Sequence, residues 1–135
     1  MIRKRIRKEE GAVAVEFAVI MILLSMILFG IIEFGITLSK YEVYLGAARE
    51  GARYAAVRCK PESSSGCTNT LIATRVQNAA TGYSLSNAPT ADKNCGDLNT
   101  GSEVTVLWNQ HFSLRIPFVP DLSFDKDVKG VFRCE

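Results

Sequence analysis

Between Glu16 and Glu33 the chain carries no charge, and Phe17 to Ile32 is interrupted only by Ser25 and Gly30. Extended back to Ala12 and on to Leu38, this apolar run exceeds the ~20 residues that a helix needs to cross a bilayer. The pattern then changes rather than stopping. Tyr41, Leu45, Ala48, Ala52 and Ala55 recur at helical spacing, while Lys40, Glu42, Arg49, Glu50 and Arg53 supply a polar face. The spacing predicts one helix from Ala12 to Val57, about 70 Å long at 1.5 Å per residue. Its first half is apolar all round and its second half amphipathic, so the second half has something to cover. Arg58-Cys59-Lys60-Pro61 ends it, because proline cannot continue a helix.

After a serine-rich loop, Thr70 to Ala80 reads as a short helix. Asn69 or Thr70 caps it, Ile72, Val76 and Ala79 form its apolar face, and Gly82 closes it. From Tyr83 to Gly101 the chain is rich in Asn, Ser, Gly, Pro and Asp, hence a long loop. Period-two alternation then marks strands at Glu103–Trp108 and Phe112–Ile116. A turn built on Pro117 and Pro120 leads to Leu122-Ser123-Phe124, and Val128 to Cys134 is a last strand. The expected fold class is α+β: a long N-terminal helix whose amphipathic half packs on a small antiparallel sheet. No internal repeat is visible.

Charge sharpens the first element. The net charge of +2 is uneven, because Arg3, Lys4, Arg5, Arg7 and Lys8 stand against only Glu9 and Glu10 in the first eleven residues. The remainder is therefore close to neutral, which argues against a nucleic-acid surface. A basic flank sets a membrane helix with its N-terminus in the cytoplasm and the residues after Ser39 outside. A cleavable secretory signal shares the basic start, but its apolar core is usually ~7–15 residues and ends in a small-x-small site. This core is longer and runs into Glu33-Phe34-Gly35-Ile36. The expected organisation is a basic leader (1–11), a transmembrane helix (12–38), its amphipathic continuation (39–58) and an exported α+β domain (59–135).

Four cysteines, Cys59, Cys67, Cys95 and Cys134, fall on the exported side. An even count there suggests two disulfides, with three possible pairings. The short polar stretch 60–66 favours a local Cys59–Cys67 loop, leaving Cys95 for Cys134. Zinc is the competing reading, but no spacing matches a C-x₂₋₄-C knuckle.

An acid at the mouth of a membrane segment is costly and calls for a reason. If the chain is cut after Gly11, the new ammonium on Ala12 lies four residues before Glu16. When helices bundle sideways, Glu16 of one subunit can neutralise that ammonium on its neighbour and favour one staggered register. The plainer reading is a glutamate whose head reaches the polar layer. Residue chemistry leaves both open.

Gly11-Ala12-Val13-Ala14-Val15-Glu16-Phe17 resembles the processing motif of type IV-type prepilins, cleaved after the glycine and carrying glutamate at the fifth mature position. Together with Phe29-Gly30-Ile31-Ile32-Glu33-Phe34-Gly35 and Ala47-Ala48-Arg49-Glu50-Gly51-Ala52-Arg53-Tyr54-Ala55, it resembles the TadE-like pseudopilins of tight-adherence (Flp, type IVc) pili. The ending, Val131-Phe132-Arg133-Cys134-Glu135, is similar to that family's final strand. The resemblance is dense from Gly11 to Val57 and only suggestive afterwards. It implies a pilin-like fold in the bacterial inner membrane and a minor pseudopilin role. It also implies processing by a membrane aspartyl prepilin peptidase, with a secretion ATPase, a major pilin and sister pseudopilins as partners. Gly11 and Ala12 match the processing positions and Glu16 the assembly position. Phe17 stands where Flp-type major pilins usually have tyrosine, and the chain is much larger than they are. Both point to a minor, initiating or tip component. Some TadE-like proteins remain uncleaved anchors, so the alternative is an anchored adhesive or binding module.

Glu33, about 25 Å along the helix from Glu16, either reaches the outer headgroups or pairs with Arg49 or Arg53 of a neighbouring subunit. His111 is the only histidine, and no glycine-flanked serine accompanies it, so a hydrolytic triad has little support. Residues 97–101 and 121–127 hold oxygen ligands without EF-hand spacing. No enzyme activity, cofactor or metal is expected. Trp108, Phe112, Phe118 and Phe124 read as core, with an exposed sticky face as the alternative.

Overall fold

In the computed structural model, described over residues 3–58, 68–92 and 103–134 (side chains from residue 11), the elements are few. Helix α1 spans Arg3–Arg58, α2 Asn69–Ala79, β1 Thr90–Ala91, β2 Glu103–Leu114 and β3 Leu122–Arg133. The chain separates into two compact units. One comprises residues up to Ile36 together with Leu114–Leu122, and the other Thr37–Ser113 together with the residues from Ser123.

Helix α1 runs beyond the expected start, from Arg3 and through Gly11 without a break. In the second unit its amphipathic part does cover something. Ala48, Ala52 and Ala55 are fully buried, with Tyr44, Ala47 and Ala56 beside them. Opposite stand Val104, Val106, Trp108 and Phe112 of β2 and Val128 of β3, joined by Ile72 and Val76 of α2. Small helix residues matter here because they let backbones approach closely. A Cβ on Gly130 of β3 would strike the Ala48 carbonyl group and come within 2.6 Å of the Arg49 nitrogen. A Cβ on Gly51 would strike a methyl of Val76, so α2 is seated where α1 lacks a side chain.

Helix α2 is capped one residue earlier than expected. Thr68, extended at φ −98° and ψ 147°, accepts from the Leu71 nitrogen through its side chain. At the other end the Ala80 nitrogen donates to the Val76 carbonyl at 2.9 Å, and Gly82 turns the chain at φ 85°. The stretch expected to be all loop contributes β1, with Thr90 opposite Leu107 and Ala91 opposite Val106.

The sheet order is β1-β2-β3. Asn109 bonds Asp127, His111 pairs with Asp125, and Phe112 stacks on Phe124. One index rises as the other falls by equal steps, so β2 and β3 run antiparallel. Each of these long strands was expected as two short ones. They are continuous because the alternation never loses phase: Val104, Val106, Trp108, Gln110 and Phe112 are all buried. The polar residues between them face outward and pair across the strands.

The hairpin tip between β2 and β3 is a turn in which the Val119 nitrogen donates to the Ile116 carbonyl at 3.1 Å. Pro117 occupies the second position and Phe118 the third, at φ 67°. That is the type II pattern, whose third position normally takes glycine. A left-handed backbone costs a residue with a Cβ about 1–2 kcal/mol. Phe118 is nevertheless 82% exposed. Of the four aromatics read as core, Trp108 and Phe112 are buried, Phe124 is half-exposed against Phe112, and Phe118 stands in the open.

Cys134 is buried and disulfide-bonded. Cys59, Cys67 and Cys95 lie outside the described residues, as do the serine-rich loop and the 97–101 oxygen cluster.

Candidate assembly surface

The processing and assembly residues read from the sequence all lie on the exposed first part of α1. From Gly11 to Leu24 every residue is exposed, Glu16 and Phe17 included. The most apolar 18-residue window of the helix has a mean hydropathy of 2.7, and none of it is buried. A soluble monomer rarely exposes a contiguous apolar surface of this size. Within the helix each backbone group has its internal partner, which is what a hydrocarbon environment demands. Ser25, the one hydroxyl between Glu16 and Glu33, donates to the Met21 carbonyl at 2.5 Å. An N-terminal helix of this kind fits a single-pass membrane anchor.

Ala12 and Glu16 are four residues apart, so they share a helix face. Glu16 has no ion-pair partner among the described residues, and neither does half-buried Glu33. The second unit holds the two arginines expected to meet a partner helix, and they differ. Arg53 sits 3.6 Å from Glu50 of its own helix, and Glu50 also takes Arg75 of α2 at 3.1 Å. The Arg75 guanidinium lies over the Tyr54 ring, 5.8 Å from its centroid. Arg49 is exposed. Exposed pairs of this kind contribute little to stability, so both guanidinium groups remain accessible.

A residue that sequence reasoning passed over organises the second unit. Gln110 is 3% exposed at an inward position of β2. Its carbonyl oxygen accepts from the Ser86 nitrogen at 3.0 Å and from the Trp108 indole at 3.1 Å. Its amide donates to the Ser86 hydroxyl at 2.8 Å and reaches the Tyr44 hydroxyl at 3.5 Å. Tyr44 in turn donates to the Ser84 carbonyl at 3.0 Å. Burial, with Tyr83 adding to it, raises the Tyr44 pKa above the ordinary 10.0, which keeps the hydroxyl a donor. Period-two phase through 104–112 was the available signal, since it places a glutamine on the core side. This network edges a polar cavity of about 290 Å³ lined in part by Thr37, Lys40 and Ser84. The ring of His111 is held by Asp125 at 2.7 Å.

Residues 11–53 match the family model described as TadE-like protein. The match begins at the glycine of the proposed cut and ends within the alanine-rich stretch of α1. No curated protein and no solved structure matches the chain.

Proposed function

We propose that this chain is a minor pseudopilin: a structural, non-catalytic subunit that works in the assembly of a tight-adherence pilus. The observation that carries the reading is the apolar part of α1 from Gly11, exposed at every residue to Leu24, with Glu16 as its one acid before Glu33, inside the segment that matches the TadE-like model. A prepilin peptidase cuts after Gly11, and the new Ala12 ammonium meets Glu16 of a neighbouring helix. Both charges then leave water together, which selects one stagger from the many that apolar packing alone would allow. The N-terminus faces the cytoplasm and the second unit is exported from the bacterial inner membrane, where Cys59–Cys67 and Cys95–Cys134 form. Glu33 meets Arg49 or Arg53 of a sister pseudopilin or of the major pilin.

One observation favours a second reading, an uncleaved anchor carrying a binding module. Helix α1 continues unbroken from Arg3 through Gly11, so the leader is not set apart by a loop. N-terminal sequencing and intact mass of the membrane-derived protein separate the two. A mature start at Ala12 is expected, and a retained Met1 leader would overturn the processing step. Glu16→Ala should then leave cleavage largely intact while abolishing piliation; unchanged piliation would remove the role given to the charge.

A further inference from the structure

Residues 115–121 read Arg-Ile-Pro-Phe-Val-Pro-Asp, an apolar pentapeptide between two charges. It forms the β2–β3 tip and belongs to the same compact unit as the apolar part of α1. The Ile116 Cδ1 lies 4.0 Å from the point where a Cβ on Gly30 would stand. At Gly30 the helix surface has no side chain, and the tip rests there.

The level of Gly30 decides what surrounds the tip. Counting from Phe17, the ~20 residues that span a hydrocarbon core end near Ile36. Gly30 is six residues before that, or about 9 Å below the outer edge at 1.5 Å per residue. Interfacial segments bury their apolar side ~5–10 Å into the headgroup and acyl boundary. Phe118, held at a left-handed φ and 82% exposed, is presented at this depth. Three of the five backbone positions from Ile116 to Pro120 leave no N–H to satisfy. Pro117 and Pro120 have no N–H, and the Val119 N–H is already bonded to the Ile116 carbonyl. Arg115 and Asp121 stand 4.0 Å apart at the base of the pentapeptide, both well exposed, and pairing lowers what it costs to bring them near the acyl boundary.

We infer that the β2–β3 tip is a membrane wedge, seating Ile116, Phe118 and Val119 among the acyl chains of the outer leaflet beside Gly30 of α1. The inference rests on the reading of α1 as a membrane span. The wedge fixes the hairpin to the bilayer at a second point, so the exported part is held by the tip as well as by its helix.

The test uses the full chain in vesicles of phosphatidylethanolamine and phosphatidylglycerol, with and without lipids brominated on the upper acyl chain. Phe118→Trp and Val119→Trp report the tip, Leu24→Trp reports the span, and the unaltered chain supplies the Trp108 background. The expected result is blue-shifted emission from both tip tryptophans and loss of about half of it to the brominated lipid, as interfacial insertion requires. If Leu24→Trp is quenched by bromolipid while both tip variants emit as in water and are quenched by iodide, the wedge is overturned and the span stands. If Leu24→Trp escapes bromolipid, the span fails and the wedge with it. Blue-shifted tip emission that ignores bromolipid and reverts on dilution would assign the tip to a second copy instead.

Discussion

Adding one methyl group at Gly130 should do more damage than its size suggests. The added Cβ meets the backbone of α1 at Ala48 and lies 2.6 Å from the Arg49 nitrogen. Neither group can rotate away, unlike the end of a flexible side chain. Ordinary contact between heavy atoms is ~3.5–4.0 Å, so strand and helix must part by about 1 Å. A gap of that width forfeits a quarter to a half of each contact along the seam. The seam is the one that buries Ala48, Ala52, Val104, Val106 and Val128. Overpacking alone typically costs 1–3 kcal/mol. With the seam opened as well, Gly130→Ala should destabilise the second unit by about 3 kcal/mol, a large part of a typical 5–15 kcal/mol. For a unit of this size each kcal/mol is worth ~4–8 °C, which places the fall in midpoint at roughly 12–24 °C.

Gly46→Ala is the internal control. Gly46 is an exposed position of the same helix, with nothing within 4 Å of an added Cβ. Replacing glycine by alanine in a helix interior gains ~0.5–1 kcal/mol. The same chemical change therefore has opposite signs at the two sites. Thermal unfolding in detergent, followed by near-ultraviolet circular dichroism of the buried aromatics, reads both. A Gly130→Ala midpoint indistinguishable from the parent would refute the close approach of β3 to α1.

The buried network makes a second prediction. Gln110→Leu strips the Ser86 nitrogen and the Trp108 indole of their shared acceptor, which should cost about 2–3 kcal/mol and blunt the Trp108 dichroism; a neutral effect would refute the network. Tyr44 predicts an alkaline limit. Because its folded pKa is raised by burial and then by Tyr83, its contribution is full below the ordinary 10.0 and is lost as pH rises through the raised value. Tyr44→Phe should lower stability by about 1 kcal/mol at neutral pH through the lost bond to Ser84 and flatten the decline above 10.0, as midpoints measured across that range will show.

The helices were legible in the sequence because their signals are local. An apolar run announced the first part of α1, a 3.6-residue stripe announced that the rest must cover something, and Ile72 with Val76 marked the buried side of α2. What covers the stripe was only partly legible. The seats depend on glycines at 51 and 130, and a glycine's role as a contact point exists only once another element is placed against it. Strand continuity was hidden by polar triplets, 109–111 and 125–127, that look like breaks along the chain. They are pairs across it, and antiparallel pairing is not a local property. Gln110 illustrates the same limit, since its partners Tyr44 and Ser86 lie 66 and 24 residues away. Phe118 was unreadable for a different reason: a Pro-x turn of this type leads one to expect glycine at the strained position.

These distinctions decide which parts of α1 remain free for the partner helix of the proposed reading. Stripes of alanine and glycine are the usual meeting face of helices in lipid, where small residues let backbones approach. In this chain that face, Ala47, Ala48, Gly51, Ala52 and Ala55, is buried against its own sheet and α2. A partner helix cannot use it without unseating the fold. What remains is the apolar stretch from Gly11, whose side chains are large, and the charged outer side with Arg49 and Arg53. Large apolar side chains pack in many registers with similar energies, so they supply attraction without alignment. Glu16 is the one charge between Glu10 and Glu33, and the proposed pairing with an Ala12 ammonium would break that degeneracy. Under the proposed pseudopilin reading, alignment of a bundle built on this helix would therefore fall to a single carboxylate near its start and to the guanidinium groups beyond its apolar end.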